Sequence, residues 1–489
     1  MQSPPNTHTQ RGAPALADRR TGPSHSPGTL GLACLLLASA FALGGSARPE
    51  VASLEVLRPL AVVGLGVALL NVRRAHIRHY RVPLAIALLC AALLALQLAP
   101  LPAGAASALH GRGLVSEIDA STGLGSAWRP LSLWAPATQN SLWALLVPLS
   151  LLATCIQLGA RDLSRLLLLA LAAGASSAII ALLQTIGDPQ GPLYFYDVTN
   201  FGSAVGLFAN RNHQAALLAC LIPLTFAAVR LRKSNAGASS HVGGKFDPWL
   251  VAAIVATAFL VPLILVTGSR TGLLMGAIAL LSVAAVTNAG SKPVAPDGVW
   301  TSRKAKIALA ALATAALVSV TIYVQRDLAI DRLMEAEAGE GMRARILPTM
   351  VDMITLHQPW GIGLGAFREV YEANEPTSLL MGVYMNQAHN DWLDVALTGG
   401  LPGLAIAAVA ICAWLARAAI VFKGEAPDDF QALRAAGLTV LLILALASLS
   451  DYPARTPALA CLIALASVWA ALPAQPRPAA PQYFDAQGA

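Results

Sequence analysis

The feature that most constrains this chain is a succession of apolar runs of membrane-spanning length, parted by short polar segments. A window of about 19 residues finds them at 29–46, 56–72, 82–101, 140–158, 164–186, 213–230, 249–266, 272–288, 307–324, 401–418, 436–450 and 457–472. In lipid, every backbone polar group must be satisfied within the protein. Runs of this length and composition achieve that as helices. The expected fold is an all-α integral membrane protein with about twelve transmembrane helices and a large, partly helical periplasmic loop at 325–400. Composition agrees: 12% of residues are charged, where soluble proteins carry about 25%.

The same pattern excludes other classes. The formal charge is +7, but the basic residues sit in short loops between apolar runs and form no stripe, so no nucleic acid is expected as partner. The partner implied is the lipid bilayer. The six cysteines, Cys34, Cys90, Cys155, Cys220, Cys412 and Cys461, all fall inside apolar runs, which argues against a disulfide framework or a zinc site. Residues 1–28 read as a disordered cytoplasmic tail. Arg19-Arg20 before an apolar run and Gly45-Ser46-Ala47 after it resemble a signal peptide, but with so many spans following, an uncleaved first helix is expected. The remaining organisation reads as N-terminal transmembrane helices at 29–200, a chemistry-bearing core at 201–418, C-terminal transmembrane helices at 419–472, and a cytoplasmic tail at 473–489.

Lysine and arginine placement sets orientation. With the N-terminus inside, every lysine (Lys233, Lys245, Lys292, Lys304, Lys306 and Lys423) falls in an inside loop. Both termini are then cytoplasmic. The outside segments are 47–55, 102–139, 187–212, 267–271, 325–400 and 451–456. The longest is acidic, and within it Ile346, Leu347, Met350, Ile354 and His357 recur at helical spacing, with Pro348 in the first turn.

Three polar clusters lie at the outer starts of inward-running spans: Asn210-Arg211-Asn212-His213, Thr267-Gly268-Ser269-Arg270-Thr271-Gly272 and His389-Asn390-Asp391-Trp392-Leu393-Asp394. Each presents a helix N-terminus to the outer face, where free N–H groups and the dipole favour an anion. Ser269 is a natural N-cap, as is Asn390 or Asp391, and capping alone explains half of these residues. Arginine beside such a terminus can grip a phosphate with two N–H groups. A boundary arginine also snorkels to lipid headgroups. That reading weighs evenly with function for Arg211. Arg270 sits in a turn too short to snorkel freely. Trp392 reads as an interfacial anchor, and His110 and His357 as solvated or interfacial. Glu117 and Asp119 are too few ligands for a metal.

His389 stands apart, at the end of the longest loop and the start of a short helix closed by Gly399-Gly400. A helix N-terminus favours a neutral ring that can accept a proton, while Asp391 or Asp394 would orient it and pull the other way. Near arginines that bind an anion, such a residue fits general base catalysis with a phosphate leaving group.

At these residues the chain resembles the O-antigen ligase/polymerase family of bacterial envelope glycosyltransferases. The matching segments are Gly206-Leu-Phe-Ala-Asn210-Arg-Asn212-His, Gly268-Ser-Arg270-Thr-Gly, Arg343-Ala-Arg345-Ile-Leu, His357-Gln-Pro-Trp-Gly361-Ile-Gly363-Leu-Gly365, and His389-Asn-Asp-Trp-Leu393 leading to Gly399-Gly-Leu-Pro-Gly403. They span roughly residues 200–410 in the family's order. The resemblance implies a lipopolysaccharide or polysaccharide biosynthesis enzyme of the bacterial inner membrane. Such an enzyme takes a glycan from undecaprenyl diphosphate at the periplasmic face and passes it to lipid A-core or a glycan acceptor. It uses no cofactor and no metal. Carried over, Arg270 and Arg343 or Arg345 hold the diphosphate, with Arg211 beside them. His389 activates the acceptor hydroxyl, supported by Asn210, Asn212, Ser269, Asn390 and Asp391. Counting back from Gly361 selects Arg343; counting back from Pro359 selects Arg345. The family often has tryptophan near 347 or 348, where this chain has Leu347-Pro348.

The alternatives are a transporter of a small anion or glycolipid, and a non-catalytic scaffold. A transporter needs a polar path through the bundle midplane, of which the sequence offers little. A scaffold needs no grouping of His389 with the arginines. The lysine distribution predicts that a cysteine introduced at Glu337 reacts with a membrane-impermeant reagent in intact spheroplasts. Labelling only after membrane disruption would reverse the orientation.

Overall fold

The computed structural model describes residues 27–235, 247–289, 345–380, 385–423 and 428–474. The tail 1–26, the apolar run 307–324, Arg343 and residues 475–489 lie outside the described residues. Among the described residues the regular structure is helical apart from one two-residue pairing, Pro100–Leu101 with Arg129–Pro130.

The helices are α1 (Pro27–Leu43), α2 (Leu54–Asn71), α3 (Arg74–His79), α4 (Arg81–Leu98), α5 (Ala103–Ser107), α6 (Gly113–Ser121), α7 (Ala135–Cys155), α8 (Ala160–Ile186), α9 (Arg211–Asn235), α10 (Pro248–Val266) and α11 (Arg270–Asn288). After the undescribed stretch come α12 (345–357), α13 (Phe367–Asn374), α14 (Asp391–Thr398), α15 (Gly400–Lys423), α16 (Gln431–Ala447) and α17 (Pro457–Ala471). Every apolar run outside 307–324 is a helix. Seven of these helices, α2, α4, α8, α9, α10, α11 and α15, are long and apolar enough to cross a membrane. α1, α16 and α17 are apolar but shorter, at 17, 17 and 15 residues. The chain is therefore a multi-pass membrane protein.

Two hubs organise the bundle. α9 packs against α8, α10, α11 and α16, while α7 packs against α1, α2, α4 and α17. α9 can sit at the centre because small and apolar residues surround its axis. Near its head the buried Gln214 accepts a hydrogen bond from Ser177 of α8 at 2.6 Å. Peripheral helices show a stripe instead: α1 buries Ala33, Leu36, Leu37, Ala40 and Phe41, the spacing of one helical face.

The 345–400 region forms a second layer with its own apolar core, built from Ile346, Met350, Met353, Ile362, Phe367, Tyr371 and Leu397 among others. The amphipathic helix expected at 346–357 is present as α12. Its buried face runs through Ile346, Met350, Met353 and His357, whereas Leu347 is 44% exposed. The apolar stripe follows a spacing that skips Leu347 and uses Met353. His357, expected to be solvated or interfacial, is buried, because it packs where only Gly111 leaves room.

The glycine run at 361–365 joins this layer to the bundle. The N–H groups of Ile362 and Gly363 donate to the carbonyls of Leu397 and Thr398, each at 3.0 Å, and Leu133 N–H donates to Ile362 at 2.8 Å. Buried Gln97 of α4 links the same parts: its amide donates to Thr398 and its carbonyl accepts from Leu364, both at 2.8 Å. At Gly361 φ is +72°, and a Cβ there would lie 2.7 Å from three backbone atoms of the 397–400 segment. Strain and backbone overlap therefore act together. Gly361→Ala should lower the thermal unfolding midpoint in detergent, with a cost of at least roughly 1–2 kcal/mol from the backbone conformation alone. Wild-type stability would mean the layer docks without this contact.

Candidate functional site

The three sequence clusters meet around the loop between α16 and α17, residues 448–456. At its centre is Asp451, whose side chain is 3% exposed. One carboxylate oxygen accepts from the side-chain amides of Asn210 at 2.9 Å and Asn212 at 2.6 Å. The other accepts from Tyr452 N–H at 3.0 Å and lies 3.4 Å from His389 Nδ1. That last contact is longer than an ordinary hydrogen bond, and positive charge on the ring would draw it in.

Local structure explains how each group arrives. Asn210 and Asn212 lie at the head of α9. The segment before them is fixed by Gln184 and Ser177 of α8: Gln184 accepts from the N–H groups of Val205 and Gly206 at 2.9 and 2.8 Å, and Ser177 accepts from Leu207 at 3.0 Å. His389 adopts φ +50°, the only left-handed non-glycine residue described. Such a conformation persists where the surroundings hold it. Here the ring lies 5.1 Å from Tyr452, and the next residue, Asn390, caps α14 by accepting from Trp392 and Leu393 N–H at 3.0 and 3.1 Å. Trp392, expected as an interfacial anchor, donates its indole N–H to Ala445 at 3.0 Å and so ties α14 to α16.

A buried ion cluster locks the arrangement. Arg455 Nε donates to Asp391 at 3.0 Å and Nη2 donates to Asp394 at 2.5 Å. Ser448 adds a hydrogen bond to Asp391 at 3.0 Å, and Asp391 N–H returns one to Ser448 at 2.9 Å. Asp391 and Asp394, expected to orient His389, thus hold Arg455 instead, and the carboxylate beside the ring is Asp451.

The charges follow from these contacts. Burial alone would raise the Asp451 carboxyl, but His389, His213 and the Asn212 amide together hold it well below the ordinary carboxylate range. Burial pushes Asp391 up to about 6 against the pull of Arg455. Burial opposes the Arg455 charge, but Asp394 and Asp391 outweigh it and raise the guanidinium further. Burial also raises the Tyr452 phenol, so that group stays protonated. Behind Asp451, a small cavity is lined by Asn212, His213, Thr271, Gly272 and Met275 among others. His213 is 1% exposed and packs edge-on against Tyr452 at 5.1 Å.

The arginines divide. Arg270 is half-buried as the first residue of α11, capped by Ser269, which accepts from Gly272 N–H at 2.9 Å. Its neighbour Thr271 hydrogen-bonds Ser450 of the central loop. α11 thus begins against the central loop, with Arg270 as its first residue. Arg211 opens α9, its N–H donating to Asn200 at 3.0 Å. Arg345 is exposed and donates to the Ser378 carbonyl at 3.3 Å, within the outer layer. Asp119, half of the weak metal pair, is gripped by Arg129 through both oxygens. The central loop was missed at the sequence level. Its signal was Asp451 and Arg455, opposite charges four apart bracketing Pro453 between two apolar helices.

The O-antigen ligase family model matches residues 252–408. This supports the O-antigen ligase family for this chain and a ligase- or polymerase-type role in glycan transfer, by a membrane glycosyltransferase-like enzyme. The match takes in α11, the outer layer and His389, while Asn210, Asp451 and Arg455 lie outside it. No curated protein matches the chain.

Replacing Arg455 by Met leaves Asp391 and Asp394 buried without their counter-charge. Stability should fall by roughly 3 kcal/mol or more, seen as a lower unfolding midpoint. Adding Asp391→Asn and Asp394→Asn to Arg455→Met should recover most of that loss. A triple variant no better than the single one would show that the cluster is not held by charge.

Proposed function

We propose that this protein transfers a glycan from undecaprenyl diphosphate to an acceptor hydroxyl, lipid A-core or another glycan, at the periplasmic face of the inner membrane. The observation that carries the reading is the pairing of His389 with Asp451, beside the N-terminus of α11 and Arg270. The Asp451 carboxylate faces the Nδ1 side of the ring at 3.4 Å. That favours the tautomer with hydrogen on Nδ1 and leaves the Nε2 lone pair to take a proton. The acceptor oxygen attacks the anomeric carbon as His389 removes its proton. The bond from that carbon to the phosphate oxygen breaks, and undecaprenyl diphosphate departs with the electron pair. Asp451 stabilises the imidazolium so formed. Arg270 and the free N–H groups of α11 face the growing negative charge on the leaving diphosphate. An arginine from 343–345 completes that grip.

A glycan transferase of this kind needs its chemistry at one end of the bundle. Within the bundle, buried Ser177 and Gln214 bond each other, and Gln184 and Ser177 are engaged with the 205–207 backbone, which disfavours a transport path there.

The deciding measurement is glycan transfer per membrane-inserted molecule. His389→Ala should lower it by roughly 10²–10⁴-fold while donor binding and protein amount persist. Arg270→Ala should instead weaken donor binding, by a charge-assisted contact worth roughly 1.5–3 kcal/mol, with lysine rescuing only in part. Normal specific transfer by His389→Ala would end the assignment.

A further inference from the structure

We propose that a shallow cleft between the 109–133 segment and the end of α12, formed by His110, Arg112, His357, Gln358 and Trp360, binds the carboxylate of an acidic sugar in the acceptor glycan. This rests on the transferase reading and names the acceptor's chemistry.

The argument begins with Arg112. Its side chain is buried, at 5% exposure. Its hydrogen bonds among the described residues go to neutral carbonyls, those of Pro130 and Leu131. A buried cation with neutral partners alone carries a desolvation cost that an anion would offset. The carboxylate that acts on it, Asp119, is already gripped by Arg129. No carboxylate lines the cleft, and two imidazoles do. Burial and the Arg112 cation favour the neutral His357 ring, so the positive charge of the cleft is that of Arg112.

Its shape supports the same ligand. Gly111 has φ +76°, and a Cβ there would lie 2.1 Å from His357 Nδ1, so the His357 ring packs on this backbone, next to Arg112 in sequence, only because the residue is glycine. The Gln358 amide donates to Ala396 at 2.9 Å, while its buried oxygen has no partner and suits a sugar hydroxyl. Trp360 stands at the rim, 42% exposed, as a flat apolar face for a sugar ring. Location fits an acceptor rather than the reacting bond. The cleft adjoins Gly361, whose neighbour Ile362 bonds Leu397 at the far end of α14. His389 precedes the near end, roughly 12 Å away by helical rise. A sugar held here would be a unit or more removed from the attacking hydroxyl.

The test uses the full chain in phosphatidylcholine nanodiscs, with glucuronate and glucose as paired probes read by saturation-transfer NMR. Glucuronate should bind about tenfold or more tightly than glucose, and Arg112→Gln should erase the difference. Because Arg112 also staples two carbonyls, Trp360→Ala is the second variant. It should weaken glucuronate severalfold with the unfolding midpoint unchanged. His389→Ala should bind glucuronate like wild type. Equal binding of the two sugars, an unaffected Trp360→Ala, or loss of binding in His389→Ala would each overturn the proposal. So would inorganic phosphate displacing glucuronate more readily than glucuronate itself binds, which would mark a lipid-headgroup site. Glucuronate binding as described, in a chain that transfers no glycan, would sink the transferase reading and leave the cleft as a sugar site.

Discussion

The arrangement of the outer face depends on the buried contact between Arg455 and the paired carboxylates Asp391 and Asp394. Three charges held together in a nearly dry setting are tolerated only when each has its partners in place. That condition makes the contact selective: the α16–α17 loop can sit against α14 in one register. The register that satisfies Arg455 also sets Asp451 beside His389. The His389–Asp451 pair is therefore positioned by a neighbouring cluster of charges.

The membrane architecture was legible in the sequence because its signal is physical and local. Long apolar runs can only be helices in lipid, and each run within the described residues is one. The capping roles of Ser269 and Asn390 were equally legible, since a polar side chain before a helix has few other uses. What the sequence hid was partnership. Asp391 sits two residues from His389, and proximity along the chain suggested that the two interact. A helix start turns successive side chains in different directions, so Asp391 meets Arg455 and the ring meets a carboxylate about sixty residues downstream. Leu347 and Met353 illustrate the same limit, because a one-residue choice of stripe decides which side chain is buried.

The protein is also layered in a way that separates tasks. The bundle supplies fixed helix ends. The outer layer, with its own apolar core, lies over them and is joined by backbone contacts at the 361–365 glycines and by Gln97. Backbone-to-backbone joints tolerate side-chain variation on either surface, so the outer layer can change what it recognises while its seat on the bundle stays the same. The O-antigen ligase match spans this layer and α11, but stops short of the loop that carries Asp451.

That last boundary has a bearing on biogenesis. His389 is synthesised well before the α16–α17 hairpin that brings its carboxylate. A ribosome paused anywhere between them holds a chain with most of its helices, its histidine and its arginine, yet without the counter-charges that organise them. The contact between His389 and Asp451 is thus completed in a single late event, the arrival of the α16–α17 hairpin, and a chain interrupted before it lacks that contact.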